Sequence, residues 1–495
     1  MKALIKLLLL SLASPLVART PLPSVSVPIP ESAASHAFGS ANYTTVPEAL
    51  GERGYVEEER LVSGTANVYD WPAPGPAVIR SANNPYTTRV LIRRPGDRAK
   101  FSGRVIVEML NPSNKFDLNI GWAMHREEIM RNGDAWVGIT AKPVAALPLK
   151  LFDPKRYAAI SWKNPLPLDD PKNCAVREGS GDTRETETGL VWDIYTQLGA
   201  WLRSSAPSNP FRYGAGASKA KRLYGWGYSQ TGAYLITYID AVQPRVIHDD
   251  GKPMYDGYMI VVAVNPIPIN QCAAPLPESD PRRRRTIAAS GVPVMHVMSQ
   301  SDYLQAVSQR RPDSDNRADP FRYYDISGSG HATPDELLYS ARPVDIQKAG
   351  RDVPPMNCDQ GPRSRFPSAY PLNAILHNLE SWVEKGISPP PGQAIRLVGG
   401  APETDKYGNV VGGVRTPYLD APTSQWNGNS TGQSFCRIAG HEKPIEPAVL
   451  KALYPSHEDY VAKVSVSVEE LVASRYLTAQ DGKAIVAEAR RASVP

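Results

Sequence analysis

Residues 222–242, RLYGWGYSQTGAYLITYIDAV, constrain the fold more than any other stretch. An apolar, aromatic-rich run reads as a strand. An amphipathic helical pattern comes directly after it. No residues are left over for a loop, so the chain must turn on Ser229 itself. A strand that passes into a helix through so sharp a turn crowds its own backbone, and the residues two before and two or three after the serine must be small. Here they are Gly227, Thr231 and Gly232. The same turn aims the backbone N–H of Gln230 at the place where an oxyanion would form, beside a helix N-terminus that favours negative charge. Thr231 stands where a strict G-x-S-x-G pattern has its second glycine. A serine serving only as a helix N-cap is the competing reading.

The surrounding rhythm says what kind of sheet this strand belongs to. RVLIRRP, RVIVEML, DAWVGITA, YMIVVAV, VPVMHVMSQ and RYYDISG are short β-branched or aromatic runs, each ended by a breaker. Between them, GWAMHREEIMRNG, GLVWDIYTQLGAWLRSS and YPLNAILHNLESWVEKG carry helical spacing, two of them closing on a glycine. Strands alternating with helices predict an α/β fold, a mostly parallel sheet covered on both faces. Residues 142–187 break the rhythm with prolines and mixed polarity, and are expected to form an insertion over a site, a possible lid. The expected organisation is an N-terminal extended or β region at 19–84, a core at 85–390, and a C-terminal extension at 391–495. That extension holds helical patterns near 445–463 and 467–491.

Residues 1–18, MKALIKLLLLSLASPLVA, have a basic start, an apolar run and a small residue at the end, the layout of a cleaved secretory signal. The run is too short to span a bilayer, so the expectation is a secreted or periplasmic protein with no membrane span. Hydrophobic residues at 42% and charged residues at 21% are ordinary globular values, and a formal net charge of +5 is too mild to point to a nucleic-acid partner. The basic run Arg282–Arg285 reads as a solvated loop. Cys174, Cys272, Cys358 and Cys436 show no CxxC spacing. In an exported chain they predict two disulfides, with three connectivities open.

A serine nucleophile needs a base that titrates near neutrality, which histidine supplies. In strand–turn–helix architectures of this kind the chain order is serine, acid, histidine. Asp302 follows the strand VPVMHVMSQ, and His331 sits in the glycine-rich turn after RYYDISG; both therefore stand just past the carboxyl ends of successive strands, where open α/β sheets place their sites. Asp313, Asp315 and Asp325 compete for the role of acid. His296 and His377 read as buried structural residues, and the HREE stretch at 125–128 as a solvated helix face. The second oxyanion donor should come from the loop after RVIVEML. Pro112 has no N–H, which leaves Ser113, Asn114 or the Asn111 side chain. No metal-ligand spacing is present. The G-x-G at 214–216 precedes a strand rather than following one, so no dinucleotide, metal or other cofactor is expected.

VIVEMLNPSN, AWVGITA, WDIYTQLGAWLR, GYSQTGAYL, YDGYMIVVA, the settings of Asp302 and His331, and DKYGNVVGGVRTP together resemble the large exported α/β-hydrolase-domain proteins whose elbow reads G-x-S-Q-[ST]. The resemblance runs from about residue 40 to the C-terminus. It implies the α/β-hydrolase fold with insertions and a C-terminal extension, and a triad of Ser229, His331 and Asp302. Tyr228 stands where that family often has an acidic residue. The expected activity is hydrolysis of a small-molecule carboxylic ester or other acyl substrate through an acyl-enzyme. A peptidase or amidase with the same triad, or a ligand-binding protein without activity, is the alternative.

Overall fold

The computed structural model describes residues 20–174, 181–214, 216–246, 251–284, 287, 290–307 and 310–494. The expected signal segment lies outside the described residues. Nine strands form one sheet: β1 (Ser24–Val25), β2 (Tyr55–Asp70), β3 (Val78–Pro95), β4 (Arg104–Leu110), β5 (Ala135–Thr140), β6 (Arg222–Tyr228), β7 (Gly257–Val261), β8 (Val294–Ser299) and β9 (Phe321–Ile326). Their spatial order is β1-β2-β3-β5-β4-β6-β7-β8-β9. From β5 to β9 every neighbouring pair is parallel. β5, β7, β8 and β9 are buried at every position, as expected of a parallel sheet covered by helices on both faces.

β1, β2 and β3 add an antiparallel edge. The long hairpin of β2 and β3 pairs from Tyr55 and Pro95 to Asp70 and Val78, with register shifts near Val68. β3 continues without a break across the boundary expected between residues 84 and 85, and so joins the N-terminal region to the core sheet. The first half of the strand is mostly exposed and does not alternate, which hides this continuity in the sequence.

Helix α1 (Ile120–Asn132) shows how a parallel strand anchors the helix after it. Glu108, fully buried in β4, accepts the N–H of Gly121 at 2.8 Å and of Trp122 at 3.3 Å, and the indole N–H of Trp136 at 2.8 Å. A carboxylate here satisfies N–H groups that a helix N-terminus leaves unpaired. Burial pushes its pKa up to about 8, although these hydrogen bonds oppose the rise. Gly133, at φ 69°, ends the helix in the left-handed conformation.

α2 (Ala146–Phe152) lies in the insertion, and α3 (Val191–Arg203) and α4 (Gln230–Thr237) flank the sheet. The helix Ala369–Lys385 ends at Gly386 as the sequence predicts.

Three expectations need correction. His125 and Glu128 are buried rather than solvated: His125 accepts from the Trp226 indole N–H at 3.2 Å and pairs with Asn373 at 3.0 Å. The helix Ala369–Lys385 packs α1 on this face, which a one-helix pattern cannot reveal. His377 is exposed, because its neighbours on either side turn toward the core. The C-terminal helices run Pro447–Leu453, His457–Ala473 and Ala479–Arg491, so the break expected near 463–467 falls within a continuous helix. A capping box at Ser456 and Asp459 starts that helix.

The cysteines pair as Cys174–Cys272 and Cys358–Cys436. These bridges close loops across sequence separations of 98 and 78. Loss of either should cost about 2–5 kcal/mol of stability. Peptide mapping of the non-reduced native protein should recover both cross-linked pairs; four free thiols would refute the pairing.

Candidate active site

Ser229 occupies the turn between β6 and α4 at φ 54°, ψ −117°. A non-glycine residue rarely adopts such a conformation unless its surroundings enforce it. The Ser229 N–H donates to the Val261 carbonyl at 2.8 Å, and the Ser229 carbonyl accepts from Ala233 at 3.0 Å, so the turn is tied to β7 on one side and to α4 on the other. A Cβ on Gly227 would lie 2.5 Å from the Thr231 carbonyl oxygen, and one on Gly232 would lie 2.8 Å from the Ala263 Cβ. Both positions require glycine. Thr231 does not. Its hydroxyl accepts the Tyr228 N–H and donates to the Tyr228 carbonyl, each at 3.1 Å, so the side chain that replaces a second glycine braces the turn.

Asp302 and His331 follow β8 and β9. His331 Nδ1 and Asp302 Oδ2 are 2.9 Å apart, and the Ser299 hydroxyl donates to the same oxygen at 2.5 Å. Both residues are buried. Burial disfavours the charged imidazole, but the Asp302 carboxylate, its hydrogen bond and the nearby Glu336 outweigh that and raise the His331 pKa above its usual value.

The competing acids are engaged elsewhere. Asp325 pairs with Arg310 and accepts from Tyr323 at 2.6 Å; Asp315 pairs with Arg322 at 2.7 Å; Asp313 accepts the Gly392 N–H at 2.6 Å. His296 is buried against the Ala263 carbonyl, as expected, and burial lowers its pKa to about 4.

Ser229, Gln230, Asp302 and His331 line one cleft of about 660 Å³. Its far walls come from the segment after β7, including Cys272, and from the insertion, where Lys142 and Asp182 pair at 3.2 Å. The cleft rim is therefore tied to the insertion by the Cys174–Cys272 bridge. Val262, which also lines the cleft, is a β-branched residue at φ 49°. Such strain at the end of a strand marks a position that the surrounding structure over-determines.

The loop after β4 reaches the other side of Ser229. Asn111, Ser113 and Asn114 line a small cavity of about 20 Å³ together with Ser229 and His331. The Asn111 amide donates to the Tyr228 carbonyl at 2.7 Å, and the Ser113 N–H donates to Asn111 Oδ1 at 2.8 Å. Two of the three expected donors are thus already occupied. Asn114 makes no hydrogen bond to a described residue. Beneath this loop, Asp117 pairs with the buried Arg89 at 3.0 Å and accepts the Thr140 hydroxyl at 2.5 Å, which holds the loop to the sheet.

Sequence reasoning missed two contributions. The Tyr228 hydroxyl donates to the His331 carbonyl at 2.5 Å, and its ring meets the imidazole edge-on at 5.5 Å. Its position next to the serine was visible, but its target 103 residues away was not. The C-terminal extension also reaches the site. The Ile438 carbonyl accepts the His331 N–H at 2.7 Å, and Phe435 and Ile438 line the small and large cavities. The flanking Cys436 was the one signal in that segment.

With this fold and these side chains in place, comparison with known proteins defines the class. The sequence matches the alpha/beta hydrolase domain family over residues 25–487. The chain belongs to that family, which sets it among the hydrolases. No curated protein matches it. Similar solved structures include one of two fungal esterases from Rhizomucor miehei, at 10% identity over 70% of this chain and 88% of that one, TM-score 0.35. Another is a thermostable esterase from Pseudomonas putida ECU1011, at 10% identity over 62% and 82%, TM-score 0.33. A glucuronoyl esterase from Solibacter usitatus is similar at 10% identity over 59% and 73%, TM-score 0.28.

Proposed function

We propose that this protein is a serine hydrolase that cleaves carboxylic esters through an acyl-enzyme. The observation that carries this reading is the 2.9 Å contact between His331 Nδ1 and Asp302 Oδ2, in the same cleft as a serine held on a strained turn. Asp302 holds the imidazole with its proton on Nδ1, leaving Nε2 to act as base. His331 takes the Ser229 Oγ proton as Oγ attacks the acyl carbon. The oxyanion is held by the Gln230 N–H at the start of α4 and by Asn114, the loop donor that is not already occupied. His331 then gives the proton to the leaving alkoxide, and the ester C–O bond breaks. Water repeats the sequence: its proton goes to His331 and on to Ser229 Oγ, and the acid is released. An ester fits this chemistry better than an amide, because an alkoxide demands less of the acid.

Export belongs to the same reading. Two disulfides suit an oxidising compartment, and among the described residues no helix is long and apolar enough to cross a membrane.

A fluorophosphonate probe tests the nucleophile. It should modify the native protein at one residue, and mass spectrometry should place the adduct on the peptide that carries Ser229. An adduct on any other serine would overturn the assignment.

The pH profile tests the base. Only neutral His331 can accept the proton, so kcat/KM should rise with pH through a midpoint above the usual imidazole value of about 6.5. Stability runs the other way. A raised histidine pKa contributes stability that is complete below the unfolded value and is lost as pH rises through the folded one. Activity therefore grows across the window in which this contribution to stability fades. A midpoint well below 6 would contradict the geometry.

A further inference from the structure

The two cavities that meet at Ser229 differ greatly in size, about 660 Å³ against about 20 Å³. The smaller figure is on the order of the room one water molecule occupies. A tetrahedral carbon on Ser229 Oγ presents three further groups: the oxyanion, the acyl substituent and the leaving oxygen. The oxyanion goes to its donors, so the other two must divide the cavities between them. In an acyl-enzyme route the acyl group stays on the serine while the alcohol departs and water enters. The leaving-group side therefore needs a route wide enough for the alcohol to pass. The large cleft provides one. The small cavity is backed by Leu118 and Ile120, both 2% exposed, and by the Glu336–Arg363 ion pair at 2.9 Å. Tyr228 and Ala332 also line it, as does Phe435, half-buried and preceded by Ser434 at φ 53°. An alkyl chain extended into this space would overlap packed core side chains or lie against a paired carboxylate.

From this asymmetry we infer that the enzyme is selective for acetyl-sized acyl groups on bulky alcohols, with the acyl methyl seated beyond the oxyanion donor Asn114, among Ile120, Glu336 and Phe435. The inference rests on the assignment of Ser229 as nucleophile. Phe435 is its specificity-determining residue, because it is the large apolar side chain of this lining that lies outside the central core, where Leu118, Ile120 and Tyr228 are packed.

Hydrolysis of the p-nitrophenyl esters of acetate, butanoate and octanoate, which share one leaving group, tests the inference alongside fluorophosphonate labelling of Ser229. The acetate should exceed the octanoate in kcat/KM by about 10²-fold or more, the scale on which a full pocket discriminates by size. Phe435→Ala should raise the butanoate-to-acetate ratio about tenfold, and Phe435→Leu should raise it less, with both variants melting close to the wild type. Equal or faster hydrolysis of the octanoate would overturn the inference and leave the nucleophile standing. Labelling of Ser229 with no hydrolysis of the acetate would do the same. If Ser229 is not labelled and no ester is hydrolysed, the hydrolase reading itself fails and the inference falls with it.

Discussion

Ser229→Ala is expected to lower kcat toward an ester by about 10⁶-fold, the scale seen when a triad nucleophile is removed. Removing His331 should cost about as much, because the two side chains act as a unit: Ser229 Oγ attacks the acyl carbon only as His331 takes its proton. What remains should be the slow reaction that the oxyanion donors and substrate binding still support. Folding should survive: alanine removes one hydroxyl, while the turn stays held by the Ser229 backbone bonds to Val261 and Ala233 and by Thr231 across Tyr228. The variant should therefore retain its circular dichroism spectrum and a melting temperature near that of the wild type. A folded Ser229→Ala protein that hydrolyses esters at more than a thousandth of the wild-type rate would end the proposal.

Asp302→Asn should cut kcat by up to about 10⁴-fold while leaving KM within a few-fold, since the carboxylate is engaged by His331 and Ser299. An asparagine amide can turn its NH₂ toward Nδ1, which forces the proton onto Nε2 and removes the base. It also carries no charge to favour the imidazolium. The Asp302 carboxylate is what offsets burial and raises the His331 pKa, so the residual activity should rise with pH through a lower midpoint. That downward shift separates an orienting role from simple loss of structure. Asp313→Asn and Asp315→Asn should keep activity within a few-fold, because their carboxylates bind Gly392 and Arg322 instead. If Asp302→Asn retains near-normal turnover and Asp315→Asn loses it, the acid has been placed wrongly. If all three stay active, a Ser–His dyad replaces the triad.

Much of the path to this site was legible in the chain. The elbow at 227–232 was readable because a strand, a turn residue and a helix start fall within a few positions, and crowding at such a turn admits only small neighbours. Asp302 and His331 were readable because the ends of parallel strands converge on one edge of the sheet, so residues just past β8 and β9 are brought together by topology. Choosing among Asp302, Asp313, Asp315 and Asp325 needed partners that sequence does not name. Each of the last three is accounted for by an arginine or a backbone N–H that lies near it only in space.

By itself the sequence determined what local chemistry and periodicity decide: the alternation of strand and helix, the sharp turn at Ser229, the glycine close to it, and the presence of an acid and a histidine after successive strands. The pairing of four cysteines, the burial of His125, the continuity of β3 into the core sheet, and the closure of the site by Tyr228, Phe435 and Ile438 were decided by the tertiary structure alone. The physical reason is range. Steric crowding and side-chain spacing act over a few residues and leave their mark in adjacent letters. Packing and hydrogen bonding join groups such as Tyr228 and His331 that are about a hundred positions apart, and they leave no local pattern until the chain is folded.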